Sequence, residues 1–142
     1  MTARQAAYQV VLRVFEEDAY ADRVLRSAAK DLDGRDRALA QRLAFGTVQR
    51  ARTLDHAIDK LGKRPVRKLD PPVRAALRLG AYQLGYTDVP SHAAVNETVE
   101  LVRSARLERA VPFTIAVMRR LSEGIASLLA SLPEDNPHAA AL

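Results

Sequence analysis

Apolar residues recur along this chain every three or four positions, which is the spacing of one face of an α-helix. The first such stripe comprises Ala3, Ala7, Val10, Val11 and Val14, and similar stripes follow almost to residue 132. No segment shows the sustained period-two alternation of a half-buried strand. The pattern predicts an all-α protein of about seven helices.

Local end signals divide the pattern into seven segments. Thr2 and Gln5 have the spacing of a capping box, which predicts the start of the first helix. The other predicted boundaries are Gly34 ending the second helix, Asp36 capping the third, Arg52 or Thr53 opening the fourth, Gly62 ending it, Asp70 and Pro71 starting the fifth, Ser91 capping the sixth, and Pro112 to Leu132 bounding the seventh.

The fifth and sixth helices are expected to form the centre of the core. Their predicted deeply buried residues are Leu77, Leu84, Val95 and Leu101, and the small Gly80 would let a neighbouring helix approach closely. Arg78 lies between two leucines of the same helix. A cation there is expected to be a buried or half-buried ion-pair partner, because an unpaired buried charge is costly. Glu97 or Glu100 is the expected partner.

Length and composition are those of one ordinary globular domain. The chain has 142 residues, of which 48% are hydrophobic and 27% charged, and it contains no cysteine. Disulfides, cysteine-ligated zinc and iron–sulfur clusters are therefore excluded. No apolar run reaches the roughly 18 residues of a membrane span. These features favour a cytoplasmic protein without a membrane partner.

The charge balance is basic. Eighteen arginines and four lysines against 17 acids give a net charge of +5 and a pI near 10.0. Arginine binds phosphate bidentately and stacks on bases, so this composition suits an RNA partner. The alternative is compositional, because a GC-rich genome also favours arginine and alanine codons.

Candidate catalytic and metal-binding groups are sparse. His56, His92 and His138 fall in different elements and lack metal-ligand spacing, and there is no glycine-rich phosphate loop. Glu97 and Glu100 could share a helix face as an acid/base pair, but a solvated or arginine-paired face is the more common role of such a spacing. We predict no catalytic residue and no metal site.

A basic connector precedes the fifth helix, running from residue 62 to residue 70. Lys63, Arg64, Arg67 and Lys68 place four cations in six residues, and Arg74 follows in the next helix. Cations beside a helix N-terminus form a reasonable phosphate cradle, because the unpaired N–H groups add to their field. A solvated loop that only maintains solubility accounts for the residues equally well.

Two long motifs resemble the signature of the NusB family. They are LRLGAYQL at 77–84 and VPSHAAVNETVEL at 89–101, and the likeness extends over residues 3–15, to Asp36-Arg37 and Phe45-Gly46-Thr47-Val48, and to Phe113 with 117–120. The resemblance covers nearly the whole chain to about residue 130. It implies a NusB-like helical bundle in two packed subdomains, and an RNA-binding role.

Within the family, the sequence resembles the N-terminal domain of 16S rRNA cytosine-C5 methyltransferases of the RsmB type. Gly80 and Gln83 in LRLGAYQL, the FGT run at 45–47, and Arg119-Arg120 carry this likeness. It implies ribosomal RNA as partner and a catalytic domain in cis. S-adenosylmethionine would bind only in that missing domain, and this chain would be no enzyme. The alternative is a free-standing antitermination factor that binds boxA RNA with ribosomal protein S10.

The resemblance also implies which cations contact RNA. The expected RNA-binding residues are Arg4, Lys63, Arg64, Arg67, Lys68 and Arg74. Residues 1–132 are expected to form the NusB-like domain, and 133–142 a linker or the start of a C-terminal region. One departure is Ile115, where the family usually has asparagine. A third hypothesis is a helical interaction module without an RNA role.

Overall fold

Within residues 1–133, seven α-helices form in the predicted order. A computed structural model of the chain describes residues 1–133. Of the expected linker, residues 133–142, only Pro133 is described, and His138 lies outside the described residues. The helices are α1 (Ala3–Glu17), α2 (Ala21–Ala28), α3 (Gly34–Gln49), α4 (Ala51–Gly62), α5 (Pro71–Tyr86), α6 (Ser91–Ser104) and α7 (Val111–Ala130). Short 3₁₀ turns at Val66–Lys68 and Glu108–Ala110 precede α5 and α7. The all-α prediction is confirmed, and residues 1–133 contain no strand.

The helices form two packed groups that share one core. In the first group α1 packs against α2 and α3, and in the second α4 and α6 pack against α5 and α7. Helix α5 joins the groups because it also contacts α1 and α3. Its residues from Ala75 to Gln83 are all buried, which matches its nearly continuous apolar sequence.

The predicted close approach at Gly80 is confirmed. A Cβ atom there would overlap Thr98 Oγ1 of α6 and lie 2.8 Å from Met118 Sδ of α7. Both neighbours therefore pack directly on the α5 backbone. This contact fixes the side of α5 that faces α6.

Two predicted helix boundaries are wrong. Gly34 begins α3 instead of ending α2, and the N-cap of α3 is Asp33, whose carboxylate accepts a 2.8 Å hydrogen bond from the Asp36 backbone N–H. A glycine cap is unnecessary after α2, because the Arg37 guanidinium donates to the carbonyls of residues 29, 30 and 32. The Arg37 side chain thus bonds the carbonyls that a C-terminal cap usually satisfies.

The remaining boundaries agree with prediction to within two residues. Pro90 is the N-cap of α6, so Ser91 is its first residue and makes no side-chain cap. Helix α5 starts at Pro71 as predicted, although the Asp70 side chain makes no capping bond. The capping box of Thr2 and Gln5 is confirmed by both of its hydrogen bonds.

The predicted core is right in part. Leu77 and Leu101 are buried, whereas Leu84 and Val95 are only half-buried, because they lie near the end of α5 and the start of α6. Arg78 is buried and paired, but its partner is Asp55 of α4. The prediction of Glu97 or Glu100 is wrong because Arg78 and Gly80 are about 200° apart around α5. Arg78 consequently faces away from α6.

Candidate nucleic-acid interface

The basic connector, residues 62–70, links α4 to α5 at one end of the bundle. Its four cations, which we call the connector cations, are Lys63, Arg64, Arg67 and Lys68, and all four are exposed. Val66 and Leu69 between them are 4% and 6% exposed and belong to the core. The connector is therefore solvated at its cations and buried at these two residues. The loop is attached to the core by these two apolar side chains.

Helix α7 holds the start of the connector. Helix α4 ends at Gly62, and Lys63 adopts a left-handed conformation with φ of 61°. The Arg120 guanidinium donates to the Leu61 carbonyl at 3.0 Å and to the Gly62 carbonyl at 3.2 Å. These carbonyls lack helical partners, and a cation is favourable at the negative end of a helix. Arg120 therefore fixes the point where the chain leaves α4.

Two further hydrogen bonds hold the middle and the end of the connector. The Asp59 carboxylate accepts from the Val66 backbone N–H at 2.7 Å. The Arg74 guanidinium donates to the Leu69 carbonyl at 2.9 Å. The connector backbone is thus bonded to side chains from α4, α5 and α7.

Arg74 is also engaged in an ion pair with α1. Its guanidinium donates to both carboxylate oxygens of Glu16, with Nε 2.7 Å from Oε2. Each side chain is about one-fifth exposed. The hydrogen bond from Arg74 is the main cause that lowers the pKa of Glu16, and the same bond raises the pKa of Arg74. A phosphate would have to compete with Glu16 for this predicted RNA contact.

Arg4 lies apart from the other predicted RNA contacts. Its Nε donates to Oε1 of the buried Gln83 at 2.8 Å, in the second half of α5. The connector joins the first residue of that helix, and Gln83 lies 12 positions after Pro71, which corresponds to about 18 Å of helix. The structure therefore groups the connector cations with Arg74 and leaves Arg4 toward the other end of α5.

A small basic pocket beside the connector contains residues that the sequence prediction missed. It has a volume of about 250 Å³ and is lined by Arg64, Lys68, Arg109 and Phe113, together with Asp70 and its neighbours. The Arg64 guanidinium lies 5.6 Å from the centre of the Phe113 ring. Arg109 and Phe113 come from the segment before α7 and its first turn, far from the connector in sequence. No local signal could have joined them to the connector.

Arg78 forms an ion pair between α5 and α4. Its Nε and Nη2 lie 2.7 and 3.1 Å from the two carboxylate oxygens of Asp55, and its Cζ lies 4.5 Å from the centre of the Phe15 ring. The residue is 8% exposed. This pair joins α1, α4 and α5 and is structural.

The described part of the chain offers no metal centre and no membrane span. Within residues 1–133, no three histidine, aspartate or glutamate side chains lie close enough to hold a metal ion. No helix in that range has the length and hydropathy needed to cross a membrane.

Glu100 pairs with Arg103 on the surface of α6, with Arg103 Nη1 3.0 Å from its carboxylate.

The family of the domain follows from its match to a family model. The model of the NusB family matches residues 1–123. The chain belongs to the NusB family.

Curated relatives match this NusB-family chain over only part of their own length. A Synechocystis protein named "Probable ribosomal RNA small subunit methyltransferase B" is 37% identical over 123 residues, which is 84% of this chain and 28% of the relative. Ribosomal RNA small subunit methyltransferase B of Pseudomonas putida is 36% identical over 135 residues, or 95% of this chain and 31% of the relative. The chain thus spans less than a third of the length of these relatives.

Solved NusB structures share the fold. A structure of the antitermination factors NusB and NusE in complex with double-stranded RNA matches with a TM-score of 0.77 and 21% identity, covering 85% of this chain and 93% of that chain. The solution structure of NusB from Aquifex aeolicus matches with a TM-score of 0.74 and 22% identity, covering 93% and 91%. The expected NusB-like bundle is confirmed.

The family departure at Ile115 is accommodated locally. Ile115 is half-buried against the core of this NusB-family domain. The adjacent Thr114 hydroxyl donates to the Ala110 carbonyl at 2.8 Å. The polar side chain next to this position, Thr114, thus bonds the carbonyl of the N-cap residue of α7.

Proposed function

We propose that this chain is the RNA-binding domain of an rRNA (cytosine-C5) methyltransferase, which it helps to position on ribosomal RNA. The observation that carries the proposal is the alignment of 84% and 95% of this chain with 28% and 31% of two proteins named as small subunit rRNA methyltransferase B. Such partial coverage is expected for an accessory domain. We further propose a cytoplasmic location, in keeping with a ribosomal RNA target.

The surface supports RNA as the partner. The connector cations are exposed and Arg109 lies beside them, so positive charge from two separate segments meets at one end of the bundle. Phosphate contacts supply most of the non-specific affinity of a nucleic-acid-binding protein. The nearby Phe113 ring adds an aromatic group of the kind on which unpaired bases stack.

The domain would act without performing the methyl transfer. Transfer to cytosine C5 in this enzyme class uses cysteine thiolates, and the chain contains no cysteine. Residues 1–133 contain no strand followed by a glycine-rich loop, which is the usual support for a nucleotide-like donor. S-adenosylmethionine would therefore bind to another part of the parent protein, and residues 1–133 are assigned no step that involves it.

One binding experiment tests the proposal against the antitermination alternative. The alternative is favoured by the fold match to NusB in complex with NusE and RNA. We expect the purified chain to bind fragments of 16S rRNA at least as tightly as boxA RNA, with no gain on adding ribosomal protein S10. Selective boxA binding that requires S10 would instead support the antitermination role.

A methyl-transfer assay completes the test. We expect the chain alone to transfer no tritium from S-adenosylmethionine to deproteinised 16S rRNA. Incorporation above the no-protein control would contradict the assignment as a non-catalytic domain.

A further inference from the structure

The segment between α4 and the first 3₁₀ turn is fixed at both ends. Arg120 bonds the carbonyls of Leu61 and Gly62, and Asp59 accepts from the Val66 N–H at the far end of the segment. Between these points lie only Lys63, Arg64 and Pro65. The proline has its φ fixed near −60°, so little backbone freedom remains.

Asp59 places a negative charge beside the connector cations, which are proposed to bind phosphate. It is an exposed carboxylate beside a strongly basic loop, where its charge opposes the binding of phosphate. Its Oδ1 nevertheless lies 2.7 Å from a backbone N–H, which is the geometry of a charge-assisted hydrogen bond. The bond therefore offers a structural reason for an acid whose charge opposes the binding of phosphate.

We propose that Asp59 is a positioning residue for RNA binding, which by bonding the Val66 N–H holds Lys63, Arg64 and Arg67 in the arrangement that receives phosphates. The inference rests on the RNA-binding function proposed above. A loop that is ordered before binding loses less conformational freedom on association. Without the bond, part of the binding energy would be spent on ordering the loop.

Two substitutions at Asp59 separate its hydrogen bond from its charge. Asp59→Asn removes the negative charge and keeps an oxygen that accepts from the Val66 N–H. Asp59→Ala removes both. A purely electrostatic role predicts that both variants bind RNA more tightly, since each raises the net charge by one. A positioning role predicts that only the asparagine variant does so, because the alanine variant loses one of the hydrogen bonds that order the connector.

The test compares wild type with both variants by binding to a single-stranded 16S rRNA fragment at several salt concentrations. We expect Asp59→Ala to bind about three- to tenfold more weakly, which corresponds to ordering one or two side chains. Its salt slope should stay near that of wild type, because no phosphate contact is removed. We expect Asp59→Asn to bind at least as tightly as wild type. Asp31→Ala, at an exposed acid in the turn after α2, is the matched control for loss of a carboxylate.

The outcomes distinguish this inference from the proposed function. If wild type binds RNA and Asp59→Ala binds equally or more tightly, Asp59 is not a positioning residue, although the RNA-binding function stands. Equal weakening by alanine and asparagine would also overturn the role of the hydrogen bond. If wild type itself binds no RNA, the proposed function fails and the inference with it. Hydrogen exchange at the Val66 amide is a readout independent of RNA, and we expect it to be faster in the alanine variant only.

Discussion

Replacing Arg78 with alanine tests the division between structural and RNA-binding cations. The substitution removes two hydrogen bonds to Asp55 and the packing of the guanidinium on the Phe15 ring. Removing one partner from a fully buried ion pair costs about 3–5 kcal/mol. The side chain of Asp55 is 33% exposed, so water would partly replace the missing guanidinium.

The expected cost is therefore smaller than for a fully buried pair. The interaction of this buried cation with the aromatic ring contributes about 1–2 kcal/mol. We expect Arg78→Ala to lower the free energy of unfolding by about 2–3 kcal/mol in total. Urea denaturation followed by circular dichroism measures this change, with Asp55→Ala and the double variant completing a thermodynamic cycle.

The same variant should retain its RNA affinity while it is folded. Arg78 is 8% exposed and its guanidinium is occupied by Asp55, so it offers no surface to a phosphate. We expect less than a twofold change in affinity at low temperature without denaturant. A destabilisation below about 1 kcal/mol, or a drop in RNA affinity as large as that of a connector variant, would refute this assignment.

The core, the ion pair at α1 and the connector each allow a further prediction. Leu77→Ala should cost about 2–5 kcal/mol of unfolding free energy and the half-buried Leu84→Ala clearly less, as measured by urea denaturation; equal costs would contradict their difference in burial. Because Arg74 lowers the pKa of Glu16, the pair should stabilise the fold above the ordinary glutamate value of 4.5, and this contribution should disappear as pH falls through the lower folded value. Glu16→Gln should accordingly show a shallower decline of stability in thermal melts from pH 6 to pH 3, and an unchanged acid profile would count against the pair. Alanine at all four connector cations should weaken RNA binding across sequences, with unchanged helicity. The slope of log affinity against log salt concentration should fall by about 0.7 for each phosphate that the variant no longer neutralises. An affinity equal to that of wild type at two salt concentrations would show that the connector is only a solvated loop.

The sequence was sufficient for features that depend on neighbours in the chain. The helical period predicts all seven helices, and the capping box at Thr2 and the proline at residue 71 locate two helix starts. The prediction at Gly34 failed because a side chain of the next helix, Arg37, can replace a glycine as the cap of α2. Local end signals do not reveal such substitutes.

Partners from distant segments could not be predicted in the same way. The sequence identified Arg78 as buried and paired, but the choice of Asp55 depends on which side of α5 faces α4. The connector cations were found as a local cluster, whereas Arg109 and Phe113 join them only through the packing of α7. Whether any of these cations binds RNA stays a prediction.

The central place of α5 has a consequence for synthesis of the protein on the ribosome. Helices α1 and α3 both pack against α5, whose last residue is Tyr86. A nascent chain that ends before this helix therefore exposes apolar faces of α1 and α3 that are buried in the finished domain. These faces become covered only after α5 has emerged and docked. Until residue 86 has emerged, the apolar faces of α1 and α3 are consequently open to aggregation and proteolysis.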